Sequence, residues 1–564
     1  MRRRDRRSRR TQDRGVYVGK HARDSFFVVG EGVLELDADG EPTTRQPLTV
    51  EELRRFRFSR LGPKGTRTDQ EVRTALATAL TAKVPQADSA VPAGFTYLGQ
   101  FVDHDLTMDR TEAQLGDDVN LGELLQGRSP ALDLDSVYGR GPDDPQDRVF
   151  YAEDGVSLKV GKTSATTFPD ERVNVELDGF DLPRRGGTGG TAADRRLPLI
   201  PDPRNDENLA VAQTHLAFIR FHNRVVEELA LKGLSGRRLF AAARQHVTRH
   251  YQWMLRTDFL PRVVDPAIVE DVFTNGRRFF EARDHANRPT MPIEFSVAAY
   301  RLGHSMIRDE YQWNRVFNST GPGRIAPLLA LFTFTGVSGN FQPGSAVPVL
   351  DDPDSGTVDT LPTNWVADFR RLYDFAEADR PDLAPPVAAG GGNVTKRIDS
   401  LLVDPLTQLP AGTFGGRGTT FDEIERNLAF RNLTRASMVR LASGQQMAEL
   451  FCVEPLTEEQ VLLGSGGADL GSLTDEQRDS VVAATPLWFY VLREAELNGG
   501  LLGPVGGRIT AEVFHRAVEG SRTSIVRSPA WRPSLGPDPE TFRMTDLLLF
   551  AFEGKADLLN PLGD

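Results

Sequence analysis

Apolar residues recur at three- and four-residue intervals along several long stretches of this chain, the spacing that turns one face of an α-helix into a core. The clearest run covers 209–229, where apolar positions recur around His215, Phe218, His222 and Val225. The same period predicts helices over 240–260, 292–307 and 421–440, with shorter pieces over 486–496 and 511–519. Glycine- and proline-rich interruptions at 186–190, 385–392 and 464–471 read as loops, none long enough to part independent domains. The expected fold class is mainly α, a single large helical domain with few short strands. Residues 1–70 are more charged and less periodic, so they read as a partly disordered N-terminal arm wrapped on a domain of 71–564.

Composition narrows the partners. A chain of 564 residues has room for a core that encloses a cofactor. Its formal net charge of -12 and pI near 5.4 argue against a nucleic-acid-binding body. The lone cysteine, Cys452, has no internal disulfide partner, and no Cys/His cluster carries zinc spacing. The first ten residues hold seven arginines, yet no apolar stretch follows that could serve as a signal core. No window approaches twenty uninterrupted apolar residues, so no membrane span is expected. A cytoplasmic location, or export without a Sec signal, is the matching expectation.

The chemistry concentrates in a few places. Leu98-Gly99-Gln100-Phe101-Val102-Asp103-His104-Asp105 sets a glutamine, two carboxylates and an imidazole within six residues, which packing alone has no reason to assemble. Of the nine histidines, His21 and His285 sit in polar segments, and His215, His222, His246, His250 and His515 lie on amphipathic stretches where a structural role is favoured. His304 follows a glycine in Ala298-Ala299-Tyr300-Arg301-Leu302-Gly303-His304, and removing side-chain bulk there lets a helix lie close to a flat macrocycle.

Five motifs then occur in order: Gln100…Asp103-His104-Asp105; the Arg128-to-Gly139 loop; Asp202-Pro203-Arg204-Asn205-Asp206-Glu207-Asn208; Arg301-Leu302-Gly303-His304; and Arg431-Asn432-Leu433-Thr434-Arg435. With these, the chain resembles the animal-type haem peroxidases of the peroxidase–cyclooxygenase superfamily, in a bacterial-looking version, from roughly 56 to 528. The resemblance implies a helical haem-peroxidase domain binding haem b, with hydrogen peroxide and a small reducing donor (thiocyanate, iodide, bromide or phenols) as substrates. It implies His104 as the acid–base that takes and returns the peroxide proton. Arg204 would stabilise the developing negative oxygen and Gln100 would orient water, peroxide or halide. His304 would ligate the haem iron through one ring nitrogen, with Asn432 bonded to the other, and Arg301 would pair with a propionate. Asp103 and Glu207 match positions that form ester bonds to haem methyl groups, while Asn208 stands where a sulfonium-forming methionine would follow, so efficient chloride oxidation is not expected.

The loop from Ser129 to Asp135 offers hard oxygen ligands at alternating positions, from Ser129, the Ala131 carbonyl, Asp133 and Asp135, a set suited to calcium. The resemblance adds Asp105, whose ion would pin the neighbouring His104. A calcium requirement fits an extracellular setting better than a cytoplasmic one. Two other readings compete. Fatty-acid dioxygenases share the fold but need a tyrosine three residues before the proximal histidine, where this chain has Arg301. Tyr300, one residue earlier and about 100° round an α-helix, is not expected to face the same channel. A silent adhesion or scaffold protein would have lost at least one of His104, Arg204 and His304, and all three are present.

Overall fold

The 23-residue helix Leu209–Leu231 exists because Asn208 caps it, its side chain accepting the Val211 N–H at 2.9 Å, and because its apolar stripe is continuous. It packs against the helices Gly94–Leu106, Gly236–Met254 and Met544–Ala551. Phe101 stacks on Phe218 at 4.5 Å between ring centroids and fixes the first of these contacts. The computed structural model describes residues 58–111, 113–283, 289–336, 338, 358–409 and 422–564, with the backbone alone of 33–36 and 42–45. The fold is mainly helical, and its strands are short two-stranded ladders. Asp88–Pro92 runs antiparallel to Val394–Lys396, and Phe58–Ser59 runs parallel to Met291–Pro292. One hydrophobic core extends through the described residues.

The predicted helices are present, with boundaries moved for identifiable reasons. The 240–260 prediction is Gly236–Met254, a π-helical turn over Leu255–Phe259 and a last turn at Leu260–Val263. Pro261 lacks the N–H that would continue the α ladder, and the widened turn absorbs the gap. The 421–440 prediction is a 3-10 turn at Glu423–Arg426 followed by Leu428–Met438. Asn427 separates them, its side chain accepting the Ala429 and Phe430 N–H groups and starting the helix afresh. The 486–496 and 511–519 predictions are Leu487–Leu497 and Gly506–Gly520. The second starts early because the buried Glu494 carboxylate takes the Val505 and Gly506 N–H groups. The helices Gln70–Leu80, Gly94–Leu106 and Met544–Ala551 were not predicted from the apolar period.

The 292–307 prediction departs most. It is a π turn at Glu294–Ala298, a 3-10 turn at Ala299–Leu302 and a short α segment at Gly303–Met306, with Ala298 off the helical region at φ -129°, ψ -77°. Glu294 anchors the segment by accepting the Leu61 and Gly62 N–H groups at 2.9 and 3.1 Å. Most of the expected arm, including His21, lies outside the described residues, as does His285. Residues 58–65 are bonded to the body, with Arg60 on the Val439 and Arg440 carbonyls and the Gly65 N–H on Arg440. Among the described residues, no helix is long and apolar enough to cross a membrane.

Candidate active site

Helix Gly94–Leu106 ends at Thr107, whose hydroxyl turns back onto the Asp103 carbonyl and carboxylate at 3.1 Å. Gln100, Asp103 and His104 stand at i, i+3 and i+4, so one face of this helix presents all three to a cavity. Asp105 falls on the other side, fully buried. The cavity has a volume of about 460 Å³ and is lined by Gln100, Asp103, His104, Arg204 and Glu207 from helix Gly94–Leu106 and the turn after Asp202, and by Arg301, Gly303, His304 and Asn432 from the segment 299–306 and helix Leu428–Met438. Eight site residues expected from four separate motifs therefore converge on one space.

Arg204 comes from the 3-10 turn Pro203–Asp206, capped by Asp202. Its Nε and Nη2 donate to the Asp202 carboxylate at 2.7 to 3.2 Å, and Nη2 also donates to the His104 carbonyl at 2.9 Å. Nη1 makes no hydrogen bond among the described residues. Asp202 accepts in addition from Arg128. Burial alone would raise the Asp202 pKa, but the Arg128 and Arg204 charges hold it well below the ordinary carboxylate range. His104 is 5% exposed, and burial together with the Arg204 charge keeps its pKa below the usual histidine value, against the opposing charges of Glu207, Asp202 and Asp103. The ring is a neutral base at neutral pH. Its Nδ1 lies 2.8 Å from Asn205 Oδ1, and Asn205 Nδ2 lies 2.9 Å from His215 Nδ1.

Gln100 is held at both ends of its amide. Its Nε2 donates to Glu207 Oε1 at 2.7 Å, and its Oε1 accepts from Asn208 Nδ2 at 3.0 Å. Asn208 therefore orients the glutamine.

His304 Nδ1 lies 2.8 Å from Asn432 Nδ2. Turning the Asn432 amide over would bring its oxygen to a protonated Nδ1 and leave the Nε2 lone pair for the cavity. Burial, with the Arg301 charge beside it, pushes the His304 pKa down to about 3, so the ring stays neutral and able to ligate. A Cβ placed on Gly303 would meet nothing within 4 Å, so this glycine keeps space open next to His304. Arg301 donates through Nε to the Ser296 carbonyl at 2.9 Å and has no ion-pair partner among the described residues. The donor set and the shape of the cavity fit a flat macrocycle with one imidazole ligand and an anionic edge.

Tyr300 corrects an expectation. It lines the same cavity, its hydroxyl donating to the Gly99 carbonyl at 3.3 Å and its ring stacked on Phe295 at 4.7 Å. The 100° argument assumed a regular α-helix, and the π and 3-10 turns before His304 change the angular relation.

Behind the first helix Asp105, Asp133 and Asp135 are all buried, with one oxygen of each within 4.8 Å of the others. Leu134, between the last two, takes the left-handed conformation at φ 60°, which folds the loop back on Asp105. Asp105 accepts the Leu134 and Ser136 N–H groups and the Ser136 hydroxyl. The Ser129 hydroxyl is buried without a hydrogen-bond partner, and Ala131 lies on the same buried loop. Burial pushes the Asp105 carboxyl up to about 6 and raises Asp135 well above the ordinary carboxylate value despite Arg128 at 3.4 Å. Such crowding fits a site that a divalent cation neutralises.

Asn205, His215, Asp202 and Arg128 were not singled out for the site from sequence. The available signal was the run of polar residues around Arg204, with a buried histidine ten positions after Asn205.

Residues 109–327 match the family model for animal haem peroxidase, a stretch that holds Arg204, Glu207 and His304. A peroxidase-like protein of Margaritifera margaritifera is 32% identical over 268 residues, 40% of this chain and 32% of that protein. The matched stretches span about a third or less of the curated relatives first in similarity. Among solved structures, peroxidase A of Dictyostelium discoideum superposes with a TM-score of 0.51 at 15% identity, over 87% of this chain and 90% of that one. A fatty acid alpha-dioxygenase of Oryza sativa gives 0.50 at 11% identity, over 90% and 81%. At these identities the structures speak for the fold alone.

Proposed function

We propose that this chain, whose residues 109–327 match the animal haem peroxidase model, is a haem peroxidase that reduces hydrogen peroxide and oxidises small donors such as thiocyanate, iodide, bromide or phenols. The observation that carries this reading is one cavity lined both by a neutral His104 with Arg204 and by His304 bonded to Asn432. His304 Nε2 would hold the haem iron, and Arg301 would hold a propionate. When bound, haem would supply the redox chemistry that reduces peroxide and oxidises the donor. The protein's part is proton management. His104 Nε2 would take the proton from one peroxide oxygen and return it to the other as the O–O bond breaks. Arg204 Nη1 donates to the departing oxygen, where negative charge develops. Gln100, clamped by Glu207 and Asn208, aligns peroxide or donor beside them.

Asp103 and Glu207 are the carboxylates for ester bonds to haem methyl groups. With Asn208 in place of methionine there is no sulfonium bond, and chloride is a poor donor. Calcium would occupy the site of Asp105, Asp133 and Asp135, with Ser129 and the Ala131 carbonyl completing it, and would fix the helix that bears His104.

The test is the absorption spectrum of haem-reconstituted protein before and after one equivalent of peroxide, beside a His104→Ala variant. A rapid change in the wild-type Soret band that is greatly slowed in the variant supports the reading. Failure to take up haem, or indifference to peroxide, overturns it.

A second reading, fatty-acid dioxygenation, draws on Tyr300 in the cavity and on the fold shared with alpha-dioxygenases. Against it, the Tyr300 hydroxyl is buried on the Gly99 carbonyl and Arg301 occupies the position three before His304. Oxygen uptake with linoleate, at rates comparable to peroxidase turnover, would bring this reading forward.

A further inference from the structure

The amide of Asn205 sits between two imidazoles, and all three side chains are buried, at 0% exposure for Asn205 and His215 and 5% for His104. Its oxygen faces His104 Nδ1 at 2.8 Å and its nitrogen faces His215 Nδ1 at 2.9 Å. The other His215 nitrogen, Nε2, is buried with no hydrogen-bond partner among the described residues, where Asn205 alone bonds that ring. An amide has one accepting end and one donating end, and it satisfies both rings in only two ways. In the first, His104 carries its proton on Nδ1 and donates to Asn205, which donates to an unprotonated His215 Nδ1. In the second the amide is turned over, His215 donates, and His104 carries its proton on Nε2.

The two arrangements differ at the face His104 turns to the cavity. In the first Nε2 presents a lone pair, and in the second an N–H. The Arg204 guanidinium, bonded to the His104 carbonyl and lining the same cavity, is a positive charge that disfavours a proton on that face. The backbone holds Asn205 in place, since its N–H donates to the Asp202 carbonyl at 3.1 Å inside the capped 3-10 turn.

We propose that Asn205, oriented by His215, is a positioning residue that locks His104 in the tautomer with the proton on Nδ1 and the lone pair on Nε2. This rests on the reading of His104 as the peroxide base. Asn205 touches neither peroxide nor haem. It keeps the Nδ1 proton in place through the cycle, so that only Nε2 gains and loses one.

The test has two arms. In the diamagnetic ferrous carbonyl form of the wild-type holoprotein with ¹⁵N-labelled histidine, His104 shows a protonated Nδ1 and an unprotonated Nε2; a proton found on Nε2 overturns the proposal without any variant. In stopped-flow mixing of the ferric holoprotein with peroxide, and separately with cyanide, Asn205→Leu slows both reactions about 10-fold or more, as expected when the tautomer is set by one buried hydrogen bond. Asn205→Asp, which still accepts from Nδ1, restores most of the rate, and His215→Leu gives a mixed His104 tautomer. Haem content and the ferrous spectrum that reports on His304 stay as in the wild type. A rate for Asn205→Leu within about twofold of the wild type, while His104→Ala is slowed far more, overturns the role of Asn205 and leaves that of His104 intact. An unimpaired His104→Ala overturns the reading beneath it.

Discussion

Asp202→Asn tests the electrostatic frame of the site most directly. Asp202 is fully buried and receives donors from Arg128 and from the Nε, Nη2 and backbone N–H of Arg204. Asparagine is nearly isosteric, but it removes the one negative charge both guanidinium groups share and sets an NH2 against further donors. Breaking a buried ion pair by neutralising one partner costs about 3–5 kcal/mol. For a 564-residue chain the unfolding entropy is about 1.2 kcal/mol per kelvin at about 2.1 cal/mol/K per residue, so a 4 kcal/mol loss lowers the melting temperature by about 3 °C. The same change releases two of the three nitrogens of Arg204, and the rate of reaction with peroxide falls about 10- to 100-fold. The pH dependence has a definite sign. The folded Asp202 carboxyl lies well below its unfolded value, so its contribution is complete above the ordinary carboxylate range and is lost as pH falls through the folded pKa. Wild type and variant therefore converge in stability in strong acid. Calorimetry and stopped-flow mixing at pH 7 measure both effects, and a variant that melts within 1 °C of wild type and reacts at the wild-type rate refutes the reasoning.

Other predictions follow from the same geometry. Burial and the Arg204 charge lower the His104 pKa, and the reaction needs the neutral ring, so the peroxide rate rises with pH with a midpoint below the ordinary histidine value of about 6.5; a midpoint at or above that value in stopped-flow pH profiles contradicts this. Removing calcium lowers the melting temperature and readdition restores it in a saturable way, whereas unchanged melting of protein shown by metal analysis to be calcium-free refutes the cation site. Burial pushes His215 down to about 3 and His222 and His250 down to about 4. Their folded pKa values lie below the unfolded one, the unfolded chain binds more protons between about pH 4 and 6.5, and stability falls as pH falls through that window, by about 2 kcal/mol per group at pH 5. Urea midpoints that do not move between pH 7 and pH 5 would contradict it.

The sequence showed those parts of the site that are local. Gln100, Asp103 and His104 share a helix face by spacing alone, and Gly303 before His304 marks a surface that needs room. The helix bearing the first three does bury an apolar stripe of Phe95, Leu98, Phe101, Val102 and Leu106, but the polar Thr96, His104 and Asp105 buried among them interrupt the pattern. The position of Tyr300 was misjudged because backbone geometry switches from π to 3-10 just before His304, and no residue type in that stretch signals the switch. The Asn205–His215 bond was illegible for a different reason. A histidine on an amphipathic helix is ordinarily packed or solvated, and only the docking of the 3-10 turn onto helix Leu209–Leu231 gives this one a partner.

That 3-10 turn explains why so many polar residues stand consecutively after Asp202. With three residues per turn, neighbours point about 120° apart and residues three apart share a side. Arg204 and Glu207 accordingly both line the cavity, while Asn205 turns to His104 and His215, and Asp206 turns away to Arg184 and the Gly336 N–H. Pro203 sets the backbone angle at the start, Asp202 caps it, and Asn208 both ends the turn and caps the long helix while holding Gln100. An α-helical path at the same place would rotate Glu207 about 60° away from the side of Arg204. The stabiliser of the leaving oxygen, the lock on its acid–base partner and the clamp on Gln100 would then no longer meet. Function here depends on the tightness of one turn, and that turn is held from outside by Arg184, from inside by Asp202 and at its end by a helix cap.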